Sequence, residues 1–302
     1  MNRFIACADL HIRKKKPQFR SEEDFLDDII VPKLIWIVTQ ANNADACLII
    51  AGDTFDNIKV SWEVFNKVAI VLQKCKHGIY VIAGQHDQSY HQKDLVNSPL
   101  KALSVAGIIT IIDEKGFDNL YGCSWGDDVE LQEDDVTDNK ILLIHKTITP
   151  EAPPFFLKDA VSAEHALKKF PKFKYIIAGD YHIPHVTEIN GRWIINCGSM
   201  VRQNKDQMEH KPRVYFVDIE KDIVEALMMP ISPSKYAFDL RAMELSEKSD
   251  FSEEIDQLME SFSLNEVEKV KFDSTLKLVV KEVKPNNNVK NILSDVMESI
   301  AC

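Results

Sequence analysis

Two hydrophobic rhythms alternate along the first two thirds of the chain. Short, largely apolar runs occur at residues 3–8, 46–50, 78–83, 108–112, 141–144 and 174–178. Runs of this length, closed by Gly, Asp or His, predict buried strands. Between them lie stretches with apolar residues three and four apart. Residues 21–42 place Phe25, Ile29, Ile30, Leu34, Ile37 and Val38 on one helical face. Ser21 with Asp24 predicts the N-cap, and Pro32 a kink or break. Residues 61–74, 98–106 and 163–170 predict three further helices. Additional strands are expected at 117–125, 186–189, 192–196 and 213–219, the middle two joined by Asn190-Gly191, a strong hairpin signal. Strand, polar loop and helix in repetition predict an α/β architecture.

Pro230 and Pro233 predict a linker. The expected organisation is a main domain at 1–229 and a small α/β unit at 230–302. That unit reads as a strand near 236–240, a helix at 252–262, a strand at 276–283 and a helix at 288–300.

Composition narrows the function. Hydrophobic residues make up 45% and charged residues 27%, the balance of a globular protein. The net charge of −11 argues against a general polyanion-binding surface but leaves room for a local basic groove. Arg13-Lys14-Lys15-Lys16 is the one cationic run that would serve such a groove. An acid-rich stretch at 127–138, without apolar periodicity, predicts an exposed loop. The cysteines are scattered without a CxxC pair, as expected of free thiols in a reducing compartment. No signal peptide and no membrane-length apolar run is read, so a cytoplasmic location without membrane partners is expected.

The chemistry collects at the strand tips. Asp9, His11, Asp53, Gln85, His86, His145, Asp180 and His182 all follow predicted strands. They offer nitrogen and oxygen but no thiolate, a set suited to Mn²⁺, Mg²⁺, Fe or Zn²⁺. Two divalent ions sharing one carboxylate, here Asp53, clamp a phosphoryl group and lower the pKa of a bridging water.

Asp9-x-His11, Gly52-Asp53-x-x-Asp56, Gly84-Gln85-His86-Asp87, His145 and Gly179-Asp180-x-His182 follow one another in an order that resembles the calcineurin-like metallophosphoesterases, over roughly residues 1–220. The resemblance implies a four-layer α/β/β/α sandwich and a specific division of ligands. Asp9, His11, Asp53 and His182 would hold the first metal. Asp53, Gln85, His145 and Asp180 would hold the second. His86 would contact the scissile phosphate and protonate the leaving oxygen, with Asp87 orienting its ring. Two positions depart from the family pattern: Gln85 replaces Asn, and Asp180 replaces His. Both can still ligate, and they make the second site richer in oxygen, favouring Mn²⁺ or Mg²⁺ over Zn²⁺.

Within that superfamily the layout is most similar to the SbcD-type nucleases. That likeness implies a Mn²⁺-dependent DNA phosphodiesterase, acting as a 3′-to-5′ exonuclease and single-strand endonuclease. It also implies a C-terminal capping domain, an SbcC-like ATPase partner and a homodimer. Arg13, Lys14, Lys15, Lys16 and Arg202 would contact DNA phosphates. A phosphomonoesterase or cyclic-nucleotide phosphodiesterase on the same scaffold is the alternative, and a catalytically silent scaffold a further one. His77, His91, His165 and His210 are expected at the surface or in loops, and His185 outside the ligand set. Ser199 is expected to shape the site rather than act as a nucleophile.

Overall fold

A computed structural model describes residues 1–89, 95–127, 140–155, 157, 159–204 and 207–243. One compact unit spans Met1–Leu240 and a second Arg241–Cys302. The elements expected at 252–262, 276–283 and 288–300 lie outside the described residues.

Strand β1 (Arg3–Cys7) opens the first unit. A π-helical turn at Leu26–Ile30 runs into α1 (Val31–Asn43). Then come β2 (Cys47–Ala51), α2 (Trp62–Leu72), β3 (Ile79–Ile82), α3 (Pro99–Val105) and β4 (Thr110–Ile111). The second half holds β5 (Leu120–Cys123), β6 (Lys140–His145), β7 (Ile148–Thr149), β8 (Val161–Ser162) and α4 (Ala163–Lys169). It continues with β9 (Phe173–Gly179), β10 (His185–Ile189) and β11 (Arg192–Asn196). Strands β12 (Arg213–Asp218) and β13 (Ile223–Met228) follow, and the short helix α5 (Ser234–Ala237) comes last.

The strands form two main sheets, in the orders β13-β12-β1-β2-β3-β4 and β10-β11-β9-β6-β5. β1 to β4 run parallel, as do β5, β6, β9 and β11, so many strand ends point the same way. Side-chain alternation explains the layering. Phe4, Ala6, Ile49 and Ala51 share a core with Ile141, Leu143, Tyr175 and Ile177 of the other sheet. Ile5, Cys7, Leu48 and Ile50 point the opposite way and pack with Leu34, Ile37, Val64 and Val68 of α1 and α2. Leu142, Ile144 and Ile176 pack around α4 through Ala166 and Leu167. The result is the expected α/β/β/α sandwich. Each fully buried Leu or Ile in these cores contributes about 1.5–3 kcal/mol.

Local differences from the sequence reading have physical reasons. Pro32 has no amide to donate, and the helical ladder widens into the π turn just ahead of it. Asp24, not Ser21, caps that turn: its carboxylate accepts from the amides of Leu26 and Asp27, both at 3.1 Å. Ser21 instead donates its amide to the Ala237 carbonyl. The strand expected at 236–240 is replaced by α5, after which Phe238 is buried between the guanidiniums of Arg20 and Arg202, 5.2 and 5.4 Å from its ring. The first unit therefore runs on through Leu240, past the two prolines. Strand β13 was not foreseen; it is an edge strand with little burial, entered through a turn at Asp222 (φ 52°). The Asn190-Gly191 hairpin is present, with both residues at positive φ.

Candidate metal centre

The parallel strands of both sheets end at one edge, where open α/β sheets place their ligands. Asp9 lies just beyond β1, Asp53 beyond β2, Gln85 and His86 beyond β3, and Asp180 and His182 beyond β9, while His145 ends β6. Three of these residues, and His11 in the loop after β1, hold left-handed backbone: Asp9 (φ 50°), His11 (44°), Asp53 (48°) and Asp180 (82°). Such conformations cost roughly 1–3 kcal/mol each and collect at functional sites. They are held by a backbone zipper. The amides of Asp9, His11 and Ile12 donate to the carbonyls of Gly52, Asp53 and Thr54 at 3.1, 3.0 and 3.0 Å.

The side chains converge. His11 Nε2 and His182 Nε2 are 3.1 Å apart. His145 Nε2 lies 3.4 Å from Asp53 Oδ2, and His11 Nε2 lies 3.8 Å from the same oxygen. Three sets of ligand atoms close to within 4.8 Å: Asp9–His11–His182, His11–Asp53–His86 and Asp9–Asp53–His145. The ring orientation fits a cation. His145 Nδ1 lies 2.8 Å from the Ala51 carbonyl, which turns the buried Nε2 toward Asp53 as the nitrogen a metal would take in place of a proton. Two carboxylates and facing imidazole nitrogens form a donor set for divalent metal, and the residues present fit it.

Electrostatics agree. Burial opposes ionisation of Asp53, but the hydrogen bond and charge of His145 prevail and hold it at about 2. Burial drives Asp9 up to about 6 against the pull of His145 and His11. Burial also pulls against His145, yet Asp53 and Asp9 raise it to about 10. His182 falls to about 4 through burial and the charge of His11. Each carboxylate is thus paired with an imidazole that a bound cation would displace as counter-charge.

Two glycines make room. A Cβ on Gly84 would stand 2.1 Å from Asp53 Oδ1, and one on Gly52 (φ 90°) 2.2 Å from His145 Nδ1. Neither position admits another residue without moving a ligand.

The resemblance-based assignments fare unequally. Of the four residues expected at the first metal, Asp9, His11 and His182 close into one group of ligand atoms, while Asp53 falls in the two other groups, with His11 and with Asp9. Of the second set, Asp53 and His145 join Asp9. Asp180 turns its carboxylate to the Thr147 hydroxyl and gives its amide to both Asp9 oxygens at 3.1 Å. It lines a cavity of about 280 Å³ shared with His145. Gln85 lines a different cavity, of about 430 Å³, beside His86.

Asp87 does not orient His86. Its buried carboxylate accepts from the amides of Thr54, Phe55 and Gly84 at 3.1, 3.0 and 3.1 Å. Burial and the nearby Asp53 charge raise its pKa to about 7 against those amides. The ring of His86 is held instead at Nδ1 by the Asp56 carbonyl, 2.9 Å away. A residue adjacent in sequence must point to the other side of so tight a loop.

The expected DNA contacts also change. Arg202 is buried; it donates to the carbonyls of Met208 and Ser232 and to the Ser234 hydroxyl, fastening the chain around α5. Arg13 Nη1 donates to both Asp56 oxygens at 3.0 Å, and Nη2 to Gln203 at 2.9 Å. Lys14 pairs with Glu63, and Lys16 with the Glu22 carbonyl. Lys15 is exposed.

Some participants escaped the sequence reading. Asp56 stood in the motif without a role, yet its carboxylate lies 3.3 Å from His11 Nδ1 and its carbonyl holds His86. Gln207 Nε2 is 3.4 Å from His182 Nδ1, with no signal in the sequence. His210, expected at the surface or in a loop, lies half-buried in a loop, with Nε2 2.8 Å from the Ser199 carbonyl. His185 stays outside the ligand groups, its Nε2 on the Ile148 carbonyl at 2.8 Å. Ser199 is fully buried and donates to the Val201 carbonyl, so it shapes the loop.

Comparison with known proteins identifies the family. The family described as calcineurin-like phosphoesterase matches residues 2–184, and the chain belongs to that family. Over 114 residues it is 30% identical to the DNA double-strand break repair protein Mre11 of Haloferax volcanii, covering 37% of this chain and 24% of that relative. Among solved structures, an archaeal phosphodiesterase superposes with a TM-score of 0.42 at 16% identity, over 75% of this chain and 99% of its own. Vps29 of Entamoeba histolytica superposes at 0.37 and 12% identity, over 76% and 99%. The described residues contain no helix long and apolar enough to cross a membrane.

Proposed function

We propose that the protein is a two-metal DNA phosphodiesterase, acting as a 3′-to-5′ exonuclease and single-strand endonuclease in recombination, repair or phage DNA processing. The observation that carries hydrolysis is the position of His86. Its Nδ1 is fixed on the Asp56 carbonyl, which leaves Nε2 facing the ligand groups, 4.0 Å from Asp53 Oδ2. Similarity to a DNA double-strand break repair protein supports DNA as the substrate.

Asp9, His11, Asp53 and His182 would hold one ion, and Asp53 with His145 the other, completed by Gln85 and Asp180. When bound, the ions, Mn²⁺ by preference, supply Lewis acidity and an ionised water. The chain supplies the rest. Asp53 and Asp9 fix the ligand imidazoles, Asp56 fixes His11 and His86, and His86 Nε2 gives a proton to the departing oxygen. Asp9, His11, Asp53 and His145 are buried, while His86, His182, Gln85, Asp180 and Asp56 are partly exposed and leave the centre open to substrate. The wider proposal includes a capping domain in the second unit, Arg241–Cys302, an SbcC-like ATPase partner, a homodimer and a cytoplasmic location.

The deciding assay offers the purified protein with Mn²⁺ labelled single- and double-stranded DNA beside p-nitrophenyl phosphate esters. DNA cleavage that disappears in His86→Ala is the expected result. Ester turnover without DNA cleavage would make it a phosphatase or small-molecule phosphodiesterase, and no turnover of anything would make it a scaffold.

A further inference from the structure

The cavity of about 430 Å³ beside His86 is formed by the loop after β2, with Asp56, Asn57 and Lys59, and the loop after β3, with Gln85, His86 and Gln88. Its charges are not all alike. The Asp56 carboxylate is engaged by Arg13 and lies against His11. Gln88 donates to the Trp125 carbonyl at 3.0 Å and keeps a buried oxygen without a partner. Lys59 is exposed, and its ammonium makes no salt bridge to any described residue. The neighbouring cations differ: Arg13 is bound to Asp56, Lys14 to Glu63, and Lys67 to Asp27 and Glu63. The Lys59 amide donates to Asn57 Oδ1 at 2.8 Å, an Asx turn that fixes where the residue leaves the loop.

We propose that this cleft is the subsite for the leaving strand, and that Lys59 contacts the phosphate next to the scissile one. The inference rests on the nuclease reading above. His86 Nε2 faces the ligand groups, so a leaving oxygen protonated there departs on the side of His86, where the cleft opens. A phosphomonoester or a small diester fills the metal centre and ends short of Lys59. A nucleic-acid strand continues into the cleft, bringing a second phosphate to a cation that lacks an anion, with the amides of Asn57, Gln85 and Gln88 for sugar and base. Lys59 then favours oligonucleotides over small phosphoesters on a protein that is otherwise acidic.

The test compares kcat/KM for a thymidine dinucleotide, with its single phosphodiester, and for a longer single-stranded oligothymidylate. Lys59→Gln should lose about tenfold more on the oligonucleotide than on the dinucleotide, the effect of one charge-assisted contact. The loss should fall mainly on KM, and the slope of log KM against log salt should shrink by about 0.7, the signature of one released phosphate contact. Lys59→Arg should restore both. Equal losses on the two substrates, or an unchanged salt slope, would overturn the assignment of Lys59 while leaving the nuclease reading intact. A wild-type protein that turns over bis(p-nitrophenyl) phosphate but no oligonucleotide would overturn the nuclease reading itself, and the occupant of the cleft with it.

Discussion

His86 is anchored at Nδ1 by the backbone carbonyl of Asp56, at 2.9 Å, while the neighbouring carboxylate of Asp87 serves three backbone amides instead. The two residues should therefore separate cleanly on mutation. His86→Ala should lower kcat by about 10²- to 10⁴-fold, the usual worth of a positioned acid, while Mn²⁺ binding persists. Asp87→Ala strands three buried amides and should reduce stability by about 3 kcal/mol or more in urea unfolding. An Asp87→Ala protein of normal stability and low kcat would restore a ring-orienting role to that carboxylate.

Gly84→Ala should damage the centre through shape alone. The added methyl falls 2.1 Å from Asp53 Oδ1 in a loop whose other contact is the Asp53 amide. Asp53 must give way, so Mn²⁺ affinity should fall at least tenfold by calorimetry. Unchanged affinity would mean that the loop relaxes freely.

Asp180 occupies a place where the family pattern has a histidine, and the Thr147 hydroxyl holds its carboxylate. Thr147→Val should raise the Mn²⁺ concentration needed for half-maximal activity, and Asp180→Ala should raise it further. Neither should act as severely as Asp53→Asn, which removes charge shared between ligand groups. A metal requirement unchanged in both variants would place Asp180 outside the second site.

Lys33 gives a pH signature away from the metal centre. Its Nζ donates to the Met200 carbonyl at 2.6 Å. Burial, then the charges of Arg20 and Arg202, lower its pKa to about 7 from the usual 10.5, with Glu22 opposing. Between those values the unfolded chain binds a proton that the folded chain does not, so this group makes stability rise with pH across that window. The stability of wild type relative to Lys33→Met should therefore increase between pH 7 and pH 10 in urea titrations. Parallel curves would show that the ammonium stays charged and solvated.

Much of this fold was legible because parallel strands buried on both faces write themselves as continuous apolar runs, as in Cys47–Ala51 and Lys140–His145. The strand tips were legible for the same reason: a polar residue ending such a run, like Asp53 or His145, has few structural excuses. What stayed hidden depends on contacts distant in sequence. Arg202 is a cation near the site in sequence, yet it packs on Phe238 and ties down Ser232, which only the folded chain reveals. Arg13 belongs to a basic run, but its partner Asp56 lies across the loop after β2. The edge strand at Ile223–Met228, half exposed and without flanking glycine, has no periodic signal strong enough to stand out.

The central claim is a pair of divalent ions organised around Asp53. Equilibrium dialysis against Mn²⁺, with metal counted per chain by elemental analysis and folding checked by circular dichroism, tests it most directly. Two ions per wild-type chain, and loss of both in a folded Asp53→Asn protein, is the predicted result. A single ion in the wild type, or two ions retained by Asp53→Asn, would contradict it.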